Sequence, residues 1–128
     1  MEEAFKSLLT GSAAVTAIVP ASRINWGAHP QGAALPGLVL NVIDDAEGLT
    51  TKGRDGLSQG RLQVDCYAET YKGAKQLSRV VRSLLHGYRG GSFRLVSHDS
   101  TRDSREGGSN EATRPYRVSM DFNTHWRA

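Results

Sequence analysis

From Arg61 to Ala68, apolar and polar side chains alternate without a break: Leu62, Val64, Cys66 and Ala68 fall on one side and Arg61, Gln63, Asp65 and Tyr67 on the other. A period of two is the mark of a strand buried on one face. Thr70 then opens a segment running to Gly87 in which Ala74, Leu77, Val80, Val81, Leu84 and Leu85 form one stripe at helical spacing. Thr70 suits the N-cap of this helix and Gly87 its stop. A strand with one apolar face and a helix with one apolar stripe must each be covered. Together they predict a sheet with the 70–87 helix packed on one face through Leu77, Val81 and Leu84.

The remaining segments fit the same scheme. Ala4, Phe5, Leu8 and Leu9 recur at helical spacing behind the acidic pair Glu2 and Glu3, so an N-terminal helix is expected, with Gly11 as its stop. Ser12 is placed to cap a short second turn before Pro20. Arg23 to Gly27 is a short candidate strand. Leu38 to Ile43 is almost wholly apolar and β-branched, which predicts a central strand buried on both faces. Gly87 to Gly91 reads as a turn into a strand from Ser92 to His98, and Arg114 to Trp126 alternates again, with Tyr116, Val118, Met120, Phe122 and Thr124 on one side. Glycine is abundant, 14 of 128 residues, and it gathers in polar stretches; long loops are expected near 44–60 and 99–113, the first as an exposed hairpin or a mobile loop. The whole is one α+β domain over 1–128, with a mostly antiparallel or mixed sheet of four to five strands.

Composition excludes more than it assigns. Sixteen basic and thirteen acidic residues leave a net charge of +3, too small to define a partner class. The single cysteine, Cys66, rules out an intrachain disulfide and lies on the inward side of its strand. No pair among His29, His86, His98 and His125 has zinc spacing, and neither a metal nor a cofactor is expected. Asp65 and Asp121 lie on polar strand faces as candidate paired carboxylates, but nothing in the sequence sets them side by side. Gly87-Tyr88-Arg89-Gly90-Gly91 follows a helix, whereas a phosphate loop follows a strand. The acidic start, Met1-Glu2-Glu3, and the short apolar run Ala13 to Ala21 predict neither a signal peptide nor a membrane span. No catalytic residue emerges, and the chain is read as a non-enzyme.

Charge placement is more informative. Lys72, Lys75, Arg79 and Arg82 fall within an arc of roughly 80° opposite the apolar stripe. No acid lies between Thr70 and Gly91. This basic ridge suits either a nucleic-acid backbone or an acidic patch on a protein neighbour. Asp44, Asp45 and Glu47 supply such a patch in the same chain, so these seven residues are candidate contacts between subunits.

Three blocks, IVPASRINWGAHPQGAALPGLVLNVI, RLQVDCYAETYKGAKQLSRVVRSLLHGYRG and RPYRVSMDFNTHWR, together resemble the tail completion or tail terminator family of long, non-contractile-tailed bacteriophages, prophages and gene transfer agents. The family pattern places a Leu-Pro turn before an apolar strand, matched by Leu35 and Pro36. A second pattern, Arg-x-Gln-x-Asp-x-aromatic-Ala ahead of an amphipathic helix, is matched by Arg61, Gln63, Asp65, Tyr67 and Ala68. The resemblance implies a structural virion protein, assembled in the bacterial cytoplasm. It implies a role capping the head-proximal end of the tail tube, usually as a hexameric ring, and joining the tail to the capsid neck. The implied partners are other copies of the chain, the tail tube protein and neck stopper or adaptor proteins, with non-specific contact to DNA in the channel. Leu49, Lys52, Arg54, Asp55 and Leu57 are the candidate tube-contacting or neck-contacting loop. A different neck component, or a small nucleic-acid-binding protein using the ridge, shares the same charge and size.

Overall fold

A computed structural model describes residues 2–28, 35–50, 53–91, 93–105 and 116–127. Helices α1 (Glu2–Thr10) and α2 (Ala13–Thr16) lead through a 3-10 turn into β1 (Ile24–Trp26). Strands β2 (Gly37–Thr50) and β3 (Gly53–Ala68) follow, then α3 (Tyr71–Leu85), β4 (Tyr88–Gly90), β5 (Phe93–Arg105) and β6 (Tyr116–Arg127). The six strands form one sheet in the order β1-β2-β3-β6-β5-β4. Only β1 and β2 run parallel; the other neighbours are antiparallel. The architecture is the expected α+β arrangement with one strand more than expected. The addition is β4, three residues hemmed by glycines, too short to display a period and therefore taken for a turn.

Local chemistry sets the helix ends. The Thr70 hydroxyl accepts a hydrogen bond from the Gly73 amide at 3.0 Å, so one of the free amides of the first turn is satisfied. At the other end Gly87 takes a φ of +82° and donates its amide to the Val96 carbonyl at 2.7 Å, which turns the chain toward β5. Gly11 stops α1 for a different reason. Its backbone is not left-handed, but an added Cβ would lie 2.9 Å from the Ser7 carbonyl oxygen.

Because α3 leaves β3 and ends at β4, the far edge of the sheet, it crosses over β6 and β5 and packs on β3, β5 and β6. Ala74, Leu77, Val81 and Leu85 are fully buried against Leu62, Val64, Cys66, Val118, Met120 and Phe122. Helix α1 adds Phe5 and Leu9, and Phe5 meets Phe93 edge to face at 6.2 Å between ring centres. All three helices contribute to this one core.

Three expectations are corrected. Strand β2 lies second from the edge and is not central, and although Leu38, Val39 and Leu40 are buried, Val42 is 39% and Ile43 53% exposed. Their apolar run is spent where a bulge interrupts the pairing with β3, between Val42 and Asp44. Leu84 is half-buried at the margin of the helix stripe, whereas Ser78 is buried with its hydroxyl donating to the Lys75 carbonyl at 2.7 Å. Finally, residues 99–105 extend β5 where a loop is expected, whereas residues 44–50 and 53–60 pair as an antiparallel hairpin, one of the two forms expected there; residues 51–52 and 106–113 lie outside the described set. Both segments carry few apolar residues, so the strand signal is weak there; the pairing follows from ladder continuation.

Leu77→Ala should cost about 2–5 kcal/mol of unfolding free energy, the range for a fully buried leucine. Leu84→Ala should cost about 1 kcal/mol, the centre of the distribution for single substitutions. Denaturant titration of both variants checks the order; equal losses would contradict this placement of α3.

Candidate functional site

Covering one face of the sheet with helices leaves the other face to the alternate residues. Registers across β3, β6 and β5 arrange them in three rows: Arg61, Asn123 and Ser97; Gln63, Asp121 and Ser100; Asp65, Ser119 and Arg102. Every side chain in the rows is polar. Asp65, Ser119 and Asp121 are nonetheless buried, at 4%, 4% and 5% exposure. Ser119 and Asp121 stand at the middle of their rows, on β6, and Asp65 stands on β3 between β2 and β6.

Asp121 is the hub. Its carboxylate accepts from Arg61 Nη2 at 2.9 Å, from Arg102 Nη1 at 2.9 Å and Nη2 at 3.3 Å, and from the Ser100 hydroxyl at 3.3 Å. Arg61 Nη2 also lies 2.8 Å from Asp99 Oδ2. The side chain of Asp121 is 7% exposed, but those of Arg61 and Arg102 are 41% and 53% exposed. The acid thus surrenders its water to two cations that keep theirs, which avoids much of the cost of a fully buried ion pair. The Arg102 and Arg61 hydrogen bonds outweigh burial and hold the Asp121 carboxyl at about 2, below its ordinary 3.8. The two guanidinium pKa values are raised in turn, chiefly by their bonds to Asp121. Asp65 is engaged separately, accepting from Gln63 Nε2 at 2.9 Å. Asp65 and Asp121 therefore share a face without forming a carboxylate pair, and an acid held ionised this way is no proton donor near neutral pH.

The family-pattern residues Arg61, Gln63, Asp65 and Tyr67 are brought together on this uncovered face, while Ala68 faces the helices and is buried. Leu35 and Pro36 precede β2, joined by a cis peptide bond. Asp44 pairs across the ladder with Arg61 and is exposed; with Gln59, Arg61, Ser97, Asn123 and His125 it lines a shallow hollow. The backbones of Asp45, Glu47, Leu49, Arg54, Asp55 and Leu57 lie in the hairpin, but their side chains, and all of Lys52, are outside the described set. Lys72, Arg79 and Arg82 are exposed on α3. Lys75 is half-buried instead, with Nζ 2.9 Å from Asp103 Oδ1 and 5.6 Å from the centre of the Tyr71 ring. The Asp103 carboxylate also accepts from the Tyr71 hydroxyl at 3.0 Å. This acid offsets one charge of the ridge, which weakens the case for a nucleic-acid groove. The ridge and Asp44 lie on opposite sides of the sheet, so one subunit does not bring them together.

Sequence reasoning missed Asp99, Ser100, Arg102 and Asp103 because it placed them in a loop. An alternating pattern continued past His98 would have found them only if the bulge between His98 and Ser100 were known. The thiol of Cys66 is buried among core residues and its pKa is pushed up by that burial, so it is not a nucleophile. His98 Nε2 lies 2.6 Å from the Thr101 hydroxyl, and its backbone amide donates to His86 Nδ1 at 2.9 Å, tying β5 to the end of α3. Burial and nearby Arg82 and His86 lower the His98 pKa. Among the described residues no three His, Cys, Asp or Glu side chains converge as a metal site. The arrangement offers charge and hydrogen bonds at the fixed spacing of a β-sheet face.

The family model described as Tail completion protein gp17 matches residues 3–126. No curated protein matches the sequence. Among solved structures, a chain from the virion of a native gene transfer agent particle superposes with a TM-score of 0.74 at 17% identity, covering 95% of this chain and 90% of that one. A second solved chain gives a TM-score of 0.55 at 18% identity, covering 96% and 92%. At such identities the likeness is one of fold.

The Asp121 hub makes a signed prediction. A depressed folded pKa contributes stability that is present above the unfolded value near 4 and is lost as pH falls toward 2. Asp121→Asn should cost about 1.5–3 kcal/mol at neutral pH, the range for hydrogen bonds to a charged group, and should flatten the stability curve between pH 4 and 2. Denaturation series across that window check both; an unaltered acid limb in the variant would remove Asp121 as the hub.

Proposed function

The chain belongs to the Tail completion protein gp17 family, a family of structural virion proteins, and from that premise we propose that it closes the head-proximal end of a tail tube as a ring and joins the tail to the neck. The family match over nearly the whole chain carries this proposal. The solved chain of the gene transfer agent virion supports it by sharing the fold over most of both lengths. Hexameric closure, with tail tube and neck proteins as neighbours above and below, is the form this takes.

The shape of the subunit supports a head-to-tail ring. Strand β1 lines β2 only as far as Leu40, and β6 lines β3 only from Leu57 onward. Beyond Ser58 the hairpin therefore runs on past its neighbours, with Leu49 and Thr50 of β2 paired to Arg54 and Gly53 of β3 as a two-stranded arm. Two strands without a third are marginal in water, so an arm of this kind gains order from a partner. Acid at its root and the basic ridge on the far side of the sheet give each subunit two unlike surfaces, as a contact that closes by rotation needs.

Amides from 47 to 56 should exchange faster than those from 61 to 67 in the free subunit and become protected in the assembled neck. Replacing residues 46–59 by a tight turn should leave the fold intact and yield particles with uncapped or overlong tails. Normal tails from that variant would deny the arm its role. Reversing Arg79 and Arg82 to Glu should weaken assembly, with partial recovery when Asp44 and Asp45 are reversed to Lys. Exposed pairs contribute only about 0.2–1 kcal/mol each, so a shifted assembly midpoint is expected, read by sedimentation across salt concentrations.

A further inference from the structure

Two apolar features of the surface have no partner in the fold described above, and they are complementary. The first is the corner of β2 where Val42 and Ile43 stand exposed beside the exposed acid Asp44, at the bulge. The second is a groove between α2 and α3, lined by Ser12, Ala14, Arg79, Val80, Ser83 and Leu84. Its floor is the half-buried pair Val80 and Leu84, and Arg79 stands at its rim with exposed Arg82 one turn on. Apolar surface left open on both sides, with acid beside one and base beside the other, is the pattern of an interface whose two halves belong together.

We propose that the α2–α3 groove receives the Val42–Ile43–Asp44 corner of a second copy of this chain. Ile43 and Val42 cover Val80 and Leu84, and Asp44 meets Arg79 and Arg82 at the rim. The groove opens on the outer side of the helices, whereas the corner lies on β2, toward the other edge of the sheet from the strands that α3 crosses. Each copy thus offers its corner to one neighbour and its groove to another, a heterologous contact that propagates until it closes. The inference rests on the proposed ring, and it assigns the ring contact to an apolar centre with a charged rim where the ridge alone would offer charge.

The test uses the full chain, free and added to tail tubes. Ile43→Cys with Ser83→Cys in one chain should give, on mild oxidation, a ladder of disulfide-linked multimers, because only seated neighbours bring Cα atoms to within about 7 Å. Each single variant should give none; buried Cys66 can remain. Ile43→Asp and Ser83→Arg, both at exposed positions, should each weaken self-association at least tenfold while leaving the melting of the monomer unchanged. A ring of wild-type mass that neither crosslinks through this pair nor responds to Ile43→Asp overturns the groove contact and leaves the ring standing. A wild-type chain that stays monomeric even on tail tubes overturns both.

Discussion

The molecule depends on the antiparallel register of β3 with β6. These two strands are the middle of the sheet, and their alternation is in phase, with Leu62 opposite Phe122, Val64 opposite Met120 and Cys66 opposite Val118. A slip of one residue would turn every one of them to the wrong face. With the phase kept, the apolar set lies beneath α3 and the polar set is held in rows on the other side. The Arg61–Asp121–Arg102 contacts reinforce it, because they link β3, β6 and β5 through one carboxylate. A polar face usually contributes little to specifying a sheet; this one is bonded across three strands and helps fix their alignment.

The same register creates the parts that face outward. Helices cover one side only, so the second side stays available, and β2 and β3 continue beyond their outer neighbours as an arm. The bulge at Ile43 rotates the outgoing strand, exposing an apolar corner where the core ends and placing Asp44 level with Arg61. Bulges at the edge of a sheet commonly redirect a strand in this way. The chain thereby acquires a groove between α2 and α3, a corner on β2 beyond the end of β1 and a two-stranded arm.

Much of the fold was legible because its signals are periodic. The α3 stripe, its Thr70 cap and the alternation of β3 and β6 each declare their structure within one segment. The apolar run Leu38 to Ile43 misled because sequence gives no position within a sheet: burial on both faces applies to residues 38–40, where β1 and β3 flank the strand, and ends where β1 ends. The candidate surface was legible by half. Arg61, Gln63, Asp65 and Tyr67 announce a polar strand face, but Asp99, Arg102 and Asp103 lie in a stretch of polar residues after a bulge, and their pairing is a long-range fact. Lys75 likewise belongs to a ridge on a helical wheel and to an ion pair with Asp103 in the fold.

Electron cryomicroscopy of the head–tail junction in particles carrying this protein tests the central claim most directly. The account predicts a closed ring of copies at the head-proximal end of the tail tube, each with its sheet and helices as described and the β2–β3 arm beyond Ser58 ordered against a neighbouring subunit or the tube. Density for the chain at any other place in the particle, or as isolated copies that do not touch one another, would contradict it.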